Sequence, residues 1–198
     1  AVFSFLSLNL YTMGFTMVAE HLVNVFILAS ILVGLQLQNS PKTIGWALSG
    51  LLLGIAVLVK QVAVVFVPMV LFLIFNAELK TKQYRLKSII IYGAGMALTI
   101  GIALLLVGLM GDFDEMIYWL IEYPSQYTSS VDNKEGMFYL KQFLSRILAF
   151  SPLVFGLISI SVLLSLIDFK SATIKWLWIY LACGFLSLIP GLRFYGQY

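Results

Sequence analysis

Charge is what this sequence has least of. Only 11% of its 198 residues are Asp, Glu, Lys or Arg, whereas a soluble domain carries charge on about a quarter of its residues. A surface facing water cannot be assembled from so few ionic groups, so an ordinary soluble fold is excluded. Cysteine is nearly absent too. The single Cys183 lies inside an apolar run, which excludes a disulfide framework and a cysteine metal site; it is expected to face lipid or fill the core. The chain opens on Ala1 with an apolar run and without a basic leader, so no secretory signal is read from it. What is present is hydrophobic: 61% of residues are apolar, the mean hydropathy is +1.00, and only short polar breaks separate the apolar runs. Lipid is the solvent these side chains are built to meet.

Apolar stretches cover residues 1–13, 21–37, 43–59, 62–76, 88–110, 147–167 and 174–189. The expected fold is therefore all-α, a polytopic transmembrane helical bundle of about seven hydrophobic segments. It forms one module over residues 1–198, with an extracytoplasmic interfacial loop at 111–145 within it. Crossing the hydrocarbon takes about 20 helical residues, so the 17-residue runs must use their polar flanks, and Lys60 and Gln61 are expected at a hairpin tip near the interface. Pro68 is expected inside a helix, its freed carbonyl satisfied by neighbours. Gly50, Gly54, Gly93 and Gly95 are read as sites of close helix packing.

Orientation follows from the distribution of charge. The breaks holding Lys42, then Glu78, Lys80, Lys82, Arg85 and Lys87, then Asp168, Lys170 and Lys175 contain seven cations against two acids. The alternate breaks hold Glu20, Lys60, residues 111–145 with Arg146, and Arg193, with five cations against seven acids. The positive-inside rule makes the first set cytoplasmic and the second outward-facing. Alternation of the spans agrees with that choice.

Ionisable and aromatic residues collect on the outer side. Glu20 and His21 precede a span, Lys60 and Gln61 cap a tight hairpin, and Arg193, Tyr195, Gln197 and Tyr198 follow the last apolar run. The 111–145 segment adds Asp112, Asp114, Glu115, Tyr118, Trp119, Glu122, Tyr123 and Tyr127, a mixture suited to the headgroup layer. A connection this long is either functional or disordered, and its aromatic content argues against disorder. Each residue also has a plainer role. Glu20 and His21 could simply open a helix, where a carboxylate complements the dipole. A divalent metal ion at Glu20 would need a third ligand from elsewhere, because adjacent helical residues diverge by about 100°. Lys60 and Arg193 are either snorkelling anchors or phosphate-binding cations at the membrane edge. Tyr118, Trp119, Tyr123 and Tyr139 are either belt aromatics or surfaces on which a sugar stacks.

Four passages together resemble the membrane module of the C-type glycosyltransferase superfamily, in particular bacterial relatives of the dolichyl-phosphate-mannose protein mannosyltransferases and of aminoarabinose transferase. They are Thr16-Met17-Val18-Ala19-Glu20-His21, the Gly50 to Gln61 run ending Leu-Val-Lys-Gln, the outer segment from Phe113-Asp114-Glu115-Met116-Ile117-Tyr118-Trp119 to Tyr123 and Tyr127, and Arg193-Phe194-Tyr195-Gly196-Gln197-Tyr198. Where Gln197 stands, relatives commonly carry His, so an imidazole role there is not implied.

The resemblance implies inverting transfer of a sugar from a polyprenyl-phosphate donor to an acceptor hydroxyl on a glycan, lipid or protein, at the extracytoplasmic face of the inner (plasma) membrane. Lys60 and Arg193 would stabilise the departing phosphate. The family's catalytic base, an Asp in the first outer loop, has no counterpart in this chain. The chain is therefore expected to be a fragment of a larger multi-pass enzyme and inert alone. Glu20 would contact acceptor or metal, and Tyr118, Trp119 and Tyr123 would border the sugar and lipid cavity, with His21, Gln61, Tyr195 and Gln197 completing the substrate-binding set. No cofactor beyond a divalent metal ion is implied, and the bilayer is a partner while nucleic acid is not. Two other classes compete. A secondary transporter would show charges in mid-span or broken helices in two halves, and the runs here are almost uncharged inside. A non-catalytic membrane scaffold subunit is compatible with the composition.

Overall fold

The computed structural model describes residues 19–38, 42–77, 81–111, 113–122, 126, 133–150, 152–167 and 171–187. These are helical, as the composition requires, and no strand occurs among them. Residues 17–125 form one compact unit, and the described residues from Gln126 onward belong to another.

The first unit is built from α1 (Ala19–Leu37), α2 (Gly45–Val59), a 3-10 turn (Gln61–Phe66), α3 (Val67–Asn76) and α4 (Lys82–Met110). It continues into a short helix α5 (Phe113–Ile117) and a π-helical turn (Tyr118–Glu122). Small residues set its register. Ser30 of α1 and Ser49 of α2 bond reciprocally, each hydroxyl donating to the other's carbonyl, at 2.8 and 3.0 Å. Farther along, a methyl group on Gly34 would touch the Trp46 ring, and one on Gly45 would strike Leu37. The pairs 30–49, 34–46 and 37–45 fix α1 and α2 as antiparallel. The chain then turns back, because Leu73 of α3 reaches Gly34 and its carbonyl accepts from the Gln38 amide at 3.4 Å.

Helix α4 runs parallel to α2 and packs against it more extensively than any other pair. The closeness depends on glycine. A Cβ on Gly50 would collide with the Tyr92 carbonyl, and one on Gly95 with that of Ala47. Thr99 Oγ1 bonds the Leu51 carbonyl at 3.4 Å, and a Cβ on Gly54 would lie 2.9 Å from Thr99 Cβ. Three of the four glycines read as packing sites therefore behave as expected; Gly93 has nothing within 4 Å and is no packing site. The core around them is closely packed, with Trp46, Leu53, Met69, Val70, Leu73 and Ile74 fully buried.

Helix ends explain several departures from the sequence reading. Pro68 sits in the first turn of α3, after the 3-10 turn, and not in a helix interior. The missing N–H costs nothing there, because the first helical N–H groups lack intrahelical partners anyway. Helix α4 begins at Lys82, six residues before its apolar run, because the Thr81 hydroxyl caps the Tyr84 N–H at 3.2 Å. It ends at Gly111, whose φ of 84° is the left-handed conformation glycine adopts without strain.

In the second unit α6 (Asn133–Phe150), α7 (Pro152–Ile167) and α8 (Ala172–Leu186) follow one another. The single stretch expected over 147–167 is divided between α6 and α7, since Pro152 cannot donate into a continuous helix. Much of the expected 111–145 loop is helical instead, in α5, the π turn and most of α6. Cys183 is buried, a core filler. Among the described residues one helix, Lys82–Met110, is long and apolar enough to cross a membrane by length and composition; His21–Leu37, Gly45–Val59, Gln61–Phe75 and Ile174–Leu186 are apolar and shorter. The 1–13 stretch lies outside the described residues.

Candidate functional site

The expected hairpin tip is where the chain placed it. Lys60 is extended, with φ −153° and ψ 118°. Its N–H closes α2 on the Ala56 carbonyl at 2.9 Å, and its carbonyl accepts from Ala63 at 3.0 Å to start the 3-10 turn. Lys60 is half-buried and Gln61 exposed. The arms flanking this tip match. From Trp46 to Val59 an α-helix rises about 20 Å, and from Gln61 to Leu73 the 3-10 turn and α3 together rise about 22 Å, so Leu73 returns to the level of Trp46.

The antiparallel register carries the first turn of α1 to the same end. With Ser30 opposite Ser49 and Gly34 opposite Trp46, the half-buried His21 lies level with the end of α2, and α1 also touches the 3-10 turn. His21, Lys60 and Gln61 thus occupy one end of the unit. Lys42, Lys82, Arg85 and Lys87 occupy the other, at the starts of the parallel helices α2 and α4. The two charge sets distinguished in the sequence are physically separated within this unit, along helices about 22 to 28 Å long.

Tyr118 is exposed, in the π turn beyond the end of α4 that lies on the His21 side. Trp119 shares that turn and Glu20 lies in the first turn of α1, each described in its backbone alone. Tyr123, Arg193, Tyr195 and Gln197 lie outside the described residues. Asp114 and Glu115, exposed on α5, and Glu122, exposed in the π turn, are the acids nearest in sequence to Tyr118 among the described side chains. No group of three or more His, Cys, Asp or Glu that could hold a metal ion occurs among the described residues.

What can this end do? An ammonium and an imidazole at one end of a helical unit can hold and stabilise a phosphate, through charge and through directed N–H donors. The carboxylates described beyond the end of α4 on this side are Asp114, Glu115 and Glu122, while His21, Lys60 and Gln61 supply binding groups.

The sequence reading passed over a second polar group at the opposite end. Arg85, Ser88 and Tyr92 recur at i, i+3 and i+7 along α4, a spacing that places them on one face. It is the face that carries Gly95 and Thr99 against α2. Trp46, in the first turn of α2, is level with Tyr92, and its ring meets Gly34 of α1. That periodicity was visible in the sequence.

The chain matches no family model, and no curated protein or solved structure is significantly similar to it.

Proposed function

We propose that this chain is part of an integral membrane glycosyltransferase. In this reading about seven hydrophobic segments form a polytopic bundle in the inner membrane, and a sugar passes from a polyprenyl-phosphate donor to an acceptor hydroxyl at the extracytoplasmic face. The observation that carries it is the common placement of His21, Lys60 and Gln61 at one end of the first unit, opposite the basic end. A lipid-linked donor keeps its tail in the bilayer and its phosphate at the interface, so the enzyme needs cations at the membrane edge that reach that phosphate as the sugar bond breaks. Lys60, at a tip between two apolar helices, would meet that need, and the resemblance would make Arg193 the second cation. Tyr118, Trp119 and Tyr123 would line the approach of sugar and tail, and Glu20 would contact the acceptor. The acceptor is a glycan, lipid or protein, and the proton-abstracting carboxylate comes from outside this chain.

The test uses the full-length protein supplied with labelled polyprenyl-phosphate sugars, with product analysis. Transfer is expected in the wild type, with a loss of about tenfold or more in Lys60→Ala and in Arg193→Ala at unchanged expression. Transfer at the wild-type rate in both variants would remove these cations from the site. Sidedness is checked separately with single cysteines at positions 60 and 87 in a Cys183→Ser background. An impermeant maleimide should reach position 60 from outside and position 87 only after permeabilisation.

A further inference from the structure

The basic end of the first unit holds four buried nitrogen and oxygen atoms without a hydrogen-bond partner among the described residues: Trp46 Nε1, Arg85 Nε, Ser88 Oγ and Tyr92 OH. Ser88 and Trp46 are fully buried, and Tyr92 is 2% exposed. Buried polar groups are almost always satisfied, and leaving one unsatisfied is costly. Four at one end of one helical unit call for a common explanation.

Their placement is tight in sequence and register. Arg85, Ser88 and Tyr92 share the packed face of α4, and helical side chains lean toward the N-terminus of their helix. The Tyr92 hydroxyl is therefore carried back toward the level of Ser88 and Arg85. Ala47 lies against Gly95 and Gly50 against Tyr92, so α2 starts about eight residues into α4 and Trp46 lies at the level of the Tyr92 turn.

The chemistry of the four is one-sided. An indole N–H and a guanidinium N–H can only donate, and both hydroxyls can donate as well. What such a group lacks is a multiple acceptor. The charge in the sequence around it is predominantly positive, Lys42, Lys80, Lys82, Arg85 and Lys87 against Glu78, and Lys42, Lys82 and Lys87 are exposed.

We propose that this end of the unit binds a phosphate group, whose oxygens accept from Arg85, Ser88 and Tyr92 on α4 and from Trp46 on α2. A phosphate offers several acceptor oxygens together with the negative charge that the basic surroundings favour. Its source is either the headgroup of an anionic lipid or a soluble phosphate, and both present the same chemistry. The site lies at the end opposite Lys60 and needs no sugar transfer, so it stands or falls independently of the transferase reading.

The experiment uses the full chain, delipidated in detergent, and follows thermal unfolding and native-mass adducts. Three additions are compared: inorganic phosphate, phosphatidylglycerol, and diacylglycerol, which has the same tails without the phosphate. The first or second should raise the unfolding temperature and the third should not. A response to inorganic phosphate identifies a soluble ligand; a response to phosphatidylglycerol alone identifies a lipid headgroup. The double variant Ser88→Ala, Tyr92→Phe should bind about tenfold more weakly, while without phosphate it should be as stable as the wild type or more so, since unsatisfied hydroxyls have been removed. Arg85→Gln gives a second readout, a loss of binding that Arg85→Lys partly restores. Unchanged binding in the double variant, an equal response to diacylglycerol, or lower stability of the double variant without phosphate would each overturn the proposal.

Discussion

The two units are similar in their apolar content and differ sharply in what that content touches. In the first, Trp46, Leu53, Met69 and Leu73 are fully buried, and glycine lets α2 and α4 approach until carbonyls meet Cα atoms. From Gln126 onward, Cys183 is the one buried hydrophobic side chain among the described residues, while Leu157, Ile158, Ile160 and Leu163 of α7 are exposed. Gly156 and Gly184 have nothing within 4 Å. Hydrophobicity therefore selects the solvent, and small residues select the neighbour. Lipid competes with protein for a leucine, but it cannot follow a glycine into contact with another backbone.

The sharpest way to break this contrast is to fill a glycine in the first unit. Gly50→Val puts a branched side chain where the Tyr92 carbonyl already sits. It should cost about 3 kcal/mol or more, read as a fall in the unfolding midpoint of the detergent-solubilised chain. An effect as small as that of a glycine substitution in α7 would mean that α2 and α4 do not pack as described.

Next in size is the Ser30–Ser49 pair. Each single alanine variant should lose about 1 kcal/mol, and a double-mutant cycle should return a coupling of about 0.6 kcal/mol. Zero coupling would leave glycine alone in setting the register. The smallest effects are expected at Gly93 and Gly156, where a methyl group meets nothing within 4 Å. Gly93→Ala and Gly156→Ala should be neutral or stabilise by up to about 1 kcal/mol, through helix propensity. A large loss at Gly156 would reveal a close neighbour for α7.

Much of the first unit was legible in the sequence. The break at Lys60 and Gln61, the packing role of Gly50, Gly54 and Gly95, and the placement of Lys60 at the end opposite Lys42, Lys82, Arg85 and Lys87 all follow from local chemistry, and the helices of this unit realise them. Elements that depend on context were harder to read. Pro68 is ambiguous because a proline suits a first turn as well as a kink, and the 3-10 turn that decides between them has no sequence signal of its own. Gly93 looks like Gly95 in composition, yet two residues on a helix lie about 200° apart, so only one of the pair can face α2. Residues 111–145 read as a loop because they are polar, whereas an amphipathic helix such as α6 needs polar residues on one face. Of the candidate site, His21 and Lys60 could be placed together once antiparallel hairpins were assumed. The Arg85, Ser88 and Tyr92 face went unnoticed because each residue alone looks like an ordinary interfacial or core side chain.

The unequal lengths of α2 and α4 have a mechanical consequence. Helix α4 has 29 residues and α2 only 15, or about 43 Å beside about 22 Å of rod. In the proposed membrane reading the apolar part of α4, residues 88–110, would be about 34 Å long and would fit an oily slab about 30 Å thick with a slight lean, whereas α2 would be too short for it. The short rod would then draw the headgroup layers inward, and a shallow dimple would form on its flank. A bulky polar headgroup dragged along by a buried chain would meet its lowest barrier at such a dimple, so the mismatch itself would steer lipid-borne molecules toward the hairpin tip.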